Sequence, residues 1–433
     1  MKKVVLALII ILALIVLVSP AVVGQMAKSS MDDQIQWATG DSSEFVIETE
    51  GFDQGWFSST AVHRVELGTT GAGADLREAI GFPPDYPSPA LVIYTTLDHG
   101  LIPVTSITRE EGSLMPGLGR AVHRLAIEIP GADRMSIPGV VYTSIGLGGG
   151  MSSSYFLEAG SYEDIRWGAG DFLFEANPSS GNIVFKGGID SITVDDGSES
   201  AEMSMLEIEA DTEMTEYGFY TGDLRFSIDS ISIEEGFQTM TISPMSIEST
   251  TELDGDRVDS DVKMDMAMGG GPMGDMSVNL DLTLDDWDAD AVGRVSEALD
   301  RAQGNPDPMM VFASMEQDLA DLVRAGLVFR IDRLDVSLPQ GTLLSKLEVS
   351  VPTSSDPNNF AWTDVLLEME ASADVSIDSS LFDMFTMMAP DLQAAVAMGV
   401  LRPDGDSYVM EAEYKQGLLT VNGAPMPIPL PGM

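Results

Sequence analysis

Cysteine is absent from this chain of 433 residues. That excludes disulfide frameworks, thiolate zinc sites, iron–sulfur clusters and cysteine nucleophiles. Histidine is nearly absent too: His63, His99 and His123 are the only three. So few leave little for imidazole-based metal or triad chemistry. Positive charge is scarce, with 22 Lys and Arg against 69 Asp and Glu, a formal net charge of −47. Nucleic acid and anionic lipid surfaces both need a basic face, so such a chain repels them. No G-x-S-x-G elbow, H-E-x-x-H, Walker A or dinucleotide fingerprint occurs. The glycine-rich segments 146–150 and 269–274 read as loops, since neither follows a strand and opens a helix as a phosphate cradle would. No catalytic constellation and no cofactor are implied.

What remains is enough to fold. Hydrophobic residues make up 44% of the chain, which sustains a sizeable core, and the length suits two or three domains. The acidic residues are spread along the sequence rather than gathered in a tail. A solvated surface, a cation-binding surface and adaptation to high salt all fit an acidic surplus. The spread favours salt, because a calcium array would concentrate its ligands. At about 1 M salt the screening length is roughly 3 Å, and self-repulsion is largely removed.

The N-terminus carries the clearest signal. Met1-Lys2-Lys3 is basic, and an unbroken apolar run from Val4 through Leu6, Ile9, Leu12 and Leu14 to Val18 follows it. With Ala21-Val22-Val23 the total is about 20 residues, near the length that spans a bilayer. Residues 1–24 therefore read as a signal anchor held in the inner membrane, with a cleaved signal peptide as the alternative. Either way the rest of the chain is exported to the periplasm.

Beyond the leader the pattern becomes period two. Strands are expected at 45–50, 60–67, 90–97, 121–129 and 140–147, within a β-rich region spanning 25–180. Residues 181–287 read as a meander of long strands. Several of these change apolar parity. The slip occurs across Ile189-Asp190-Ser191-Ile192, Ile228-Asp229-Ser230-Ile231, Ile242 to Met245 around Pro244, and Ile331-Asp332-Arg333-Leu334. A one-residue slip flips every later side chain unless a β-bulge absorbs it. A helical insertion is expected at 288–326: one helix over 290–303, and a second capped by Asp307, opened by Pro308 and ended by Gly326. In the α+β region 327–433, strands are expected at 327–338, 343–351 and 366–377. Helices follow at 381–388 and 390–400, then a closing hairpin. The fold class is mainly β (α+β): a long curved antiparallel sheet or open half-barrel, a few helices inserted in the C-terminal half, and one N-terminal apolar helix.

Individual motifs are modest. Asp286, Asp288, Asp290 and Glu297 sit at positions 1, 3, 5 and 12 of an EF-hand-like loop, but Ala291 occupies the place of its turn glycine. The same acids open a helix, and capping is the preferred reading. Ala-Val-His-Arg occurs at both 61–64 and 121–124, an echo read as strand pairing rather than a metal site. Met203, Met205, Met240 and Met245 alternate within strands as buried filler.

Gly55-Trp56-Phe57-Ser58-Ser59 follows the first expected strand. Together with Asp98 to Pro103, Phe329 to Leu334 and the closing Tyr408 to Gly423, which ends in Asn422-Gly423, it resembles the YdgA-like family of Gram-negative envelope proteins, a domain of unknown function. The order of these segments carries the resemblance. It implies an inner-membrane or periplasmic protein and supplies no catalytic residues; Trp56 and Phe57 are expected as core anchors at a turn. The functional expectation is a non-enzymatic envelope protein whose curved sheet offers an apolar groove, with lipid or another envelope protein as partner. A structural or assembly component acting through sheet edges is the alternative, and a carboxylate-based hydrolase a more distant one.

The charge yields the first prediction. The melting temperature should rise between dilute buffer and roughly a few hundred millimolar salt, as screening relieves self-repulsion. A flat profile in calorimetry would remove the argument for salt adaptation.

Overall fold

A computed structural model describes residues 45–426, except 56, 70–73, 75–86, 88, 100–116, 129, 131–133, 163, 178, 196, 198, 236–237, 271–273, 303–307, 355–361 and 390–391. The expected leader, Trp56 and Asp307 lie outside these residues. Among the described residues, no helix is long and apolar enough to cross a membrane. The fold is mainly β and antiparallel, as the alternating sequence demands. Its described residues divide into two compact units, with the boundary at Gly187–Gly188 inside one strand. Most of the described residues from Gly188 onward form the second unit.

The first eleven strands are β1 (Phe45–Gln54), β2 (Ser58–Leu67), β3 (Ala90–His99), β4 (Gly119–Glu128), β5 (Met135–Ser136), β6 (Val140–Ile145), β7 (Met151–Leu157), β8 (Gly160–Tyr162), β9 (Ile165–Trp167), β10 (Gly170–Asn177) and β11 (Asn182–Asp195). In the first unit the pairing runs β1–β2–β3–β4–β6–β7–β10, with β5 beside β6 on the same edge of β4. β1 bulges between Thr49 and Gly51, so that Thr49 faces His63 and Phe52 faces Ala61. Val92 and Leu97 of β3 are fully buried, on opposite faces of the strand. Stacked rings of Tyr155 and Phe172, 5.9 Å apart, extend the packing toward Phe185.

The second unit is a longer ladder: β12 (Glu199–Met214), β13 (Tyr220–Glu235), β14 (Gln238–Asp254), β15 (Arg257–Gly269), β16 (Met276–Asp288), β17 (Leu327–Leu338), β18 (Gly341–Val351), β19 (Glu370–Asp378), β20 (Arg402–Asp404), β21 (Ser407–Lys415), β22 (Leu418–Val421) and β23 (Ala424–Met426). Strands β12 to β19 pair consecutively, and β21, β22 and β23 complete the ladder. Its helices are α1 (Ala289–Ala302), α2 (Pro308–Ala325), α3 (Trp362–Glu368), α4 (Ser379–Met388) and α5 (Leu392–Ala397). Helix α1 begins where Asp288 Oδ1 accepts the Ala291 N–H at 2.9 Å, an N-cap bond. Helix α2 ends at Gly326 with φ +87°, where an added Cβ would stand 2.9 Å from backbone. The strand expected over 366–377 begins only at Glu370, because 362–368 form α3.

The parity slips become pairing irregularities. Met203 and Leu206 on β12, Ile228 and Ile231 on β13, and Ile242 and Met245 on β14 are each three residues apart, and these pairs face one another in register. The register therefore does not shift until β15, where Met266 and Met268 are two apart and face Met245 and Ile242. One extra residue on β14 is left over there, a bulge at Ser243-Pro244. A second site lies in β17. Ile331 and Leu334 face Leu282 and Leu280 on β16, so Asp332 is the extra residue. Beyond the slip expected at Asp190, Ile192, Thr193 and Val194 of β11 face Trp167, Arg166 and Ile165 of β9. Met205 departs from its expected role as buried filler: it takes φ +48° at the kink and is 42% exposed. A non-glycine residue in that region marks local strain at the turn of the strand.

Deleting Asp335, in the regular part of β17, should send Val336 and Leu338 to the wrong face. Each misplaced apolar side chain costs about 1.5–3 kcal/mol. Thermal unfolding followed by circular dichroism should place this deletion well below the deletion of Asp332, which removes only the extra residue and leaves Ile331, Arg333 and Leu334 opposite Leu282, Asp281 and Leu280 in regular alternation.

Candidate functional site

In the first unit a polar seam crosses one sheet face. Thr49 of β1 faces His63 of β2, and Thr95 of β3 faces His123 of β4; Thr143 of β6 faces Ser153 of β7. All six occupy the phase that points to the apolar face. The seam closes by hydrogen bonds: Thr49 Oγ1 to His63 Nδ1 at 3.1 Å, Thr95 Oγ1 to His123 Nδ1 at 2.8 Å, His123 Nε2 to Thr143 Oγ1 at 3.0 Å, and Thr143 Oγ1 to Ser153 Oγ at 2.8 Å. Around it Val65, Ile93, Leu97, Leu125, Val141 and Met151 line a pocket of about 280 Å³. Desolvation pushes His123 down to about 4, with a further push from His63, so its imidazole is neutral at physiological pH. The Ala-Val-His-Arg echo is explained here. Strands β2 and β4 flank β3, and Ala61 and His123 both face Thr95. The opposite face is ionic, with Arg64 bonded to Glu66 and Glu128 and Arg134 bonded to Glu128 and Tyr94.

The second unit sorts its two faces more completely. Row by row, Ile208, Phe226, Ile247, Met264, Leu280 and Leu334 stand opposite one another across β12 to β17. The neighbouring row holds Leu206, Ile228, Met245, Met266, Val278 and Val336. Every member of the first row is half-buried, neither enclosed nor fully exposed. The buried apolar clusters of this unit gather at its ends instead. Phe219, Val258 and Ala289 form one with Trp287 and Val292 beside α1, and Ile377, Leu381 and Phe382 form another with α4 and α5. The reverse face carries charge in alternation: Glu209, Arg225, Glu248, Lys263, Asp281 and Arg333 face one another across the same six strands. Arg225 and Glu248 approach to 2.8 Å. Opposite charges on adjacent strands are mutually favourable, so the scarce cations are spent between acids.

The model of a bacterial protein family of unknown function, DUF945, matches residues 1–429. The chain belongs to this family. No curated protein and no solved structure matches it. Membership spans nearly the whole chain, so both units are parts of the family's common body rather than additions to it. At the Gly55–Ser59 motif the Gly55 N–H donates to Ser58 O at 2.9 Å, and a Cβ on Gly55 would meet that oxygen at 2.4 Å. Ser59 is buried, but Phe57, expected as a core anchor, is 38% exposed. Asn422 and Gly423, with φ +51° and +76°, turn β22 into β23. The Asn422 side chain also donates to Gly399 O and Val400 O and accepts from the Glu411 N–H.

The acidic loop does not converge on a metal. Asp288 caps α1, Asp290 pairs with Arg294, and the Asp286 N–H donates to Asp259 Oδ1. Among the described residues no group of three or more His, Asp or Glu is placed to hold an ion. Sequence reasoning passed over the Thr–His–Thr–Ser seam. Its signal was polar side chains on the apolar phase of successive strands.

The depressed His123 makes the fold pH-sensitive. Its ordinary value is near 6.5 and its folded value about 4, so the unfolded chain binds the extra proton between them. Stability present above pH 6.5 is therefore lost as pH falls toward 4, by about 3 kcal/mol. Calorimetry at fixed high salt should show a shallower loss for His123→Gln than for the parent over that window.

Proposed function

We propose that this chain is a YdgA-like envelope protein, non-catalytic, held at the inner membrane by its N-terminal segment, whose second unit holds lipid acyl chains on its apolar sheet face in the periplasm. One observation carries the reading: apolar side chains stay in register across six strands and yet remain half-buried. A sheet face of that extent is an adhesive surface, and monomeric proteins rarely leave one without a use. Lipid tails suit it because the face itself carries no charge for a headgroup to pair with, and the acidic reverse face repels anionic headgroups. The leader supports the location, since an anchored chain meets lipid first. The bulges at Ser243-Pro244 and Asp332 support the mechanism. They keep the face apolar where odd residue spacing would otherwise put polar side chains into it.

Native mass spectrometry of the detergent-extracted full chain tests this. Phospholipid should co-purify with the parent and fall severalfold in Met264→Asp and Leu280→Asp, each checked for an unchanged circular dichroism spectrum. Protein free of lipid, or equal lipid in the folded variants, would refute the proposal.

A further inference from the structure

We infer that the pocket of the first unit is a separate binding site for a small neutral molecule that carries a hydrogen-bond acceptor, such as a ketone or ester carbonyl, on an apolar frame. The inference stands apart from lipid binding by the second unit. It comes from counting hydrogens. Thr95, His123, Thr143 and Ser153 each carry one donor hydrogen while His123 is neutral, which makes four. Three hydrogen bonds join them. One hydrogen is therefore left over.

The imidazole fixes where it can lie. If Nδ1 accepts from Thr95, Nε2 carries the ring hydrogen and gives it to Thr143, and the surplus falls on Thr143 or Ser153. If Nδ1 donates to Thr95, Thr143 must donate to Nε2, Ser153 to Thr143, and the surplus falls on Thr95. In every arrangement a hydroxyl on the pocket wall offers one hydrogen, and it is never the ring N–H. All four residues line the pocket, and none of its lining side chains is Lys, Arg, Asp or Glu.

Those facts select the ligand's chemistry. A carboxylate entering the pocket would lose its hydration and find no Lys or Arg, and an ammonium would find no carboxylate. A plain alkane would leave the surplus hydrogen facing an apolar surface. A neutral acceptor satisfies it at no charge cost. The volume of about 280 Å³ corresponds to about nine water-sized centres at roughly 30 Å³ each, which fits an eight-carbon ketone.

Octan-2-one, octane and octanoate are isosteric probes, and titrating each into the full chain by ligand-observed NMR tests the assignment. The ketone should bind about fivefold tighter than octane, one neutral hydrogen bond's worth, and octanoate should bind more weakly than the ketone. The Thr95→Val, His123→Leu, Thr143→Val, Ser153→Ala quadruple variant, which removes all four donors, should lose the ketone's advantage while keeping octane binding, which also certifies that the pocket still folds. Octanoate equalling the ketone, or octane matching it in the parent chain, would overturn the inference without recourse to any variant. Retention of the ketone's advantage in the quadruple variant would overturn it as well.

Discussion

A pleated strand gives every side chain one of two faces, and the second unit depends on that constraint being met without exception. Apolar residues three apart cannot share a face on a regular strand, because the period is two. The chain satisfies both demands by matching the odd spacings on β12, β13 and β14 to one another and discharging the surplus residue at β15, where spacing returns to two. The kink at Met205, the Ser243-Pro244 bulge and the apolar rows all follow from this one accommodation. Thr and Ser side chains stitch the kinked region, with Ser204 and Ser230 hydroxyls 2.8 Å apart and Ser243 donating to Asp229 O at 2.7 Å.

The same constraint organises the charge. With 69 acids and 22 bases, neutral pairing throughout is arithmetically impossible. The row from Glu209 to Arg333 instead alternates acid and base across six strands. Elsewhere like charges meet directly, as Asp211 and Asp223 do across β12 and β13. A hydroxyl relieves one such place: Thr250 donates to Asp223 at 2.7 Å. Buried Thr283 stands 2.8 Å from Asp261 and 2.7 Å from Asp332, bridging carboxylates from two strands.

Much of this was legible in the residues. Period-two alternation gave nearly all the long strands, and the parity slips at Pro244 and Asp332 announced bulges that the pairing contains. Pro308 and Gly326 bounded α2 because their backbone chemistry admits few other places. What escaped was tertiary. Leu366 to Glu368 continue the apolar pattern of β19 yet belong to α3, since a short apolar run does not distinguish the two periods. Phe57 reads as an anchor by composition but meets solvent, and Met205 was read as filler although the kink turns it outward. The seam of the first unit was hidden for a different reason. Each of its members looks ordinary on its own strand, and only register shows that Thr49, His63, Thr95, His123, Thr143 and Ser153 share one side.

The matched triplets on β12, β13 and β14 restrict how chain length can vary. An insertion or deletion in β13 alone would mismatch both of its neighbours at once, whereas a simultaneous change in all three strands would leave their mutual pairing intact and move the discrepancy to β15. Length variation among relatives should accordingly be correlated across three separated stretches of sequence. The fold then inherits a unit of change larger than the single strand.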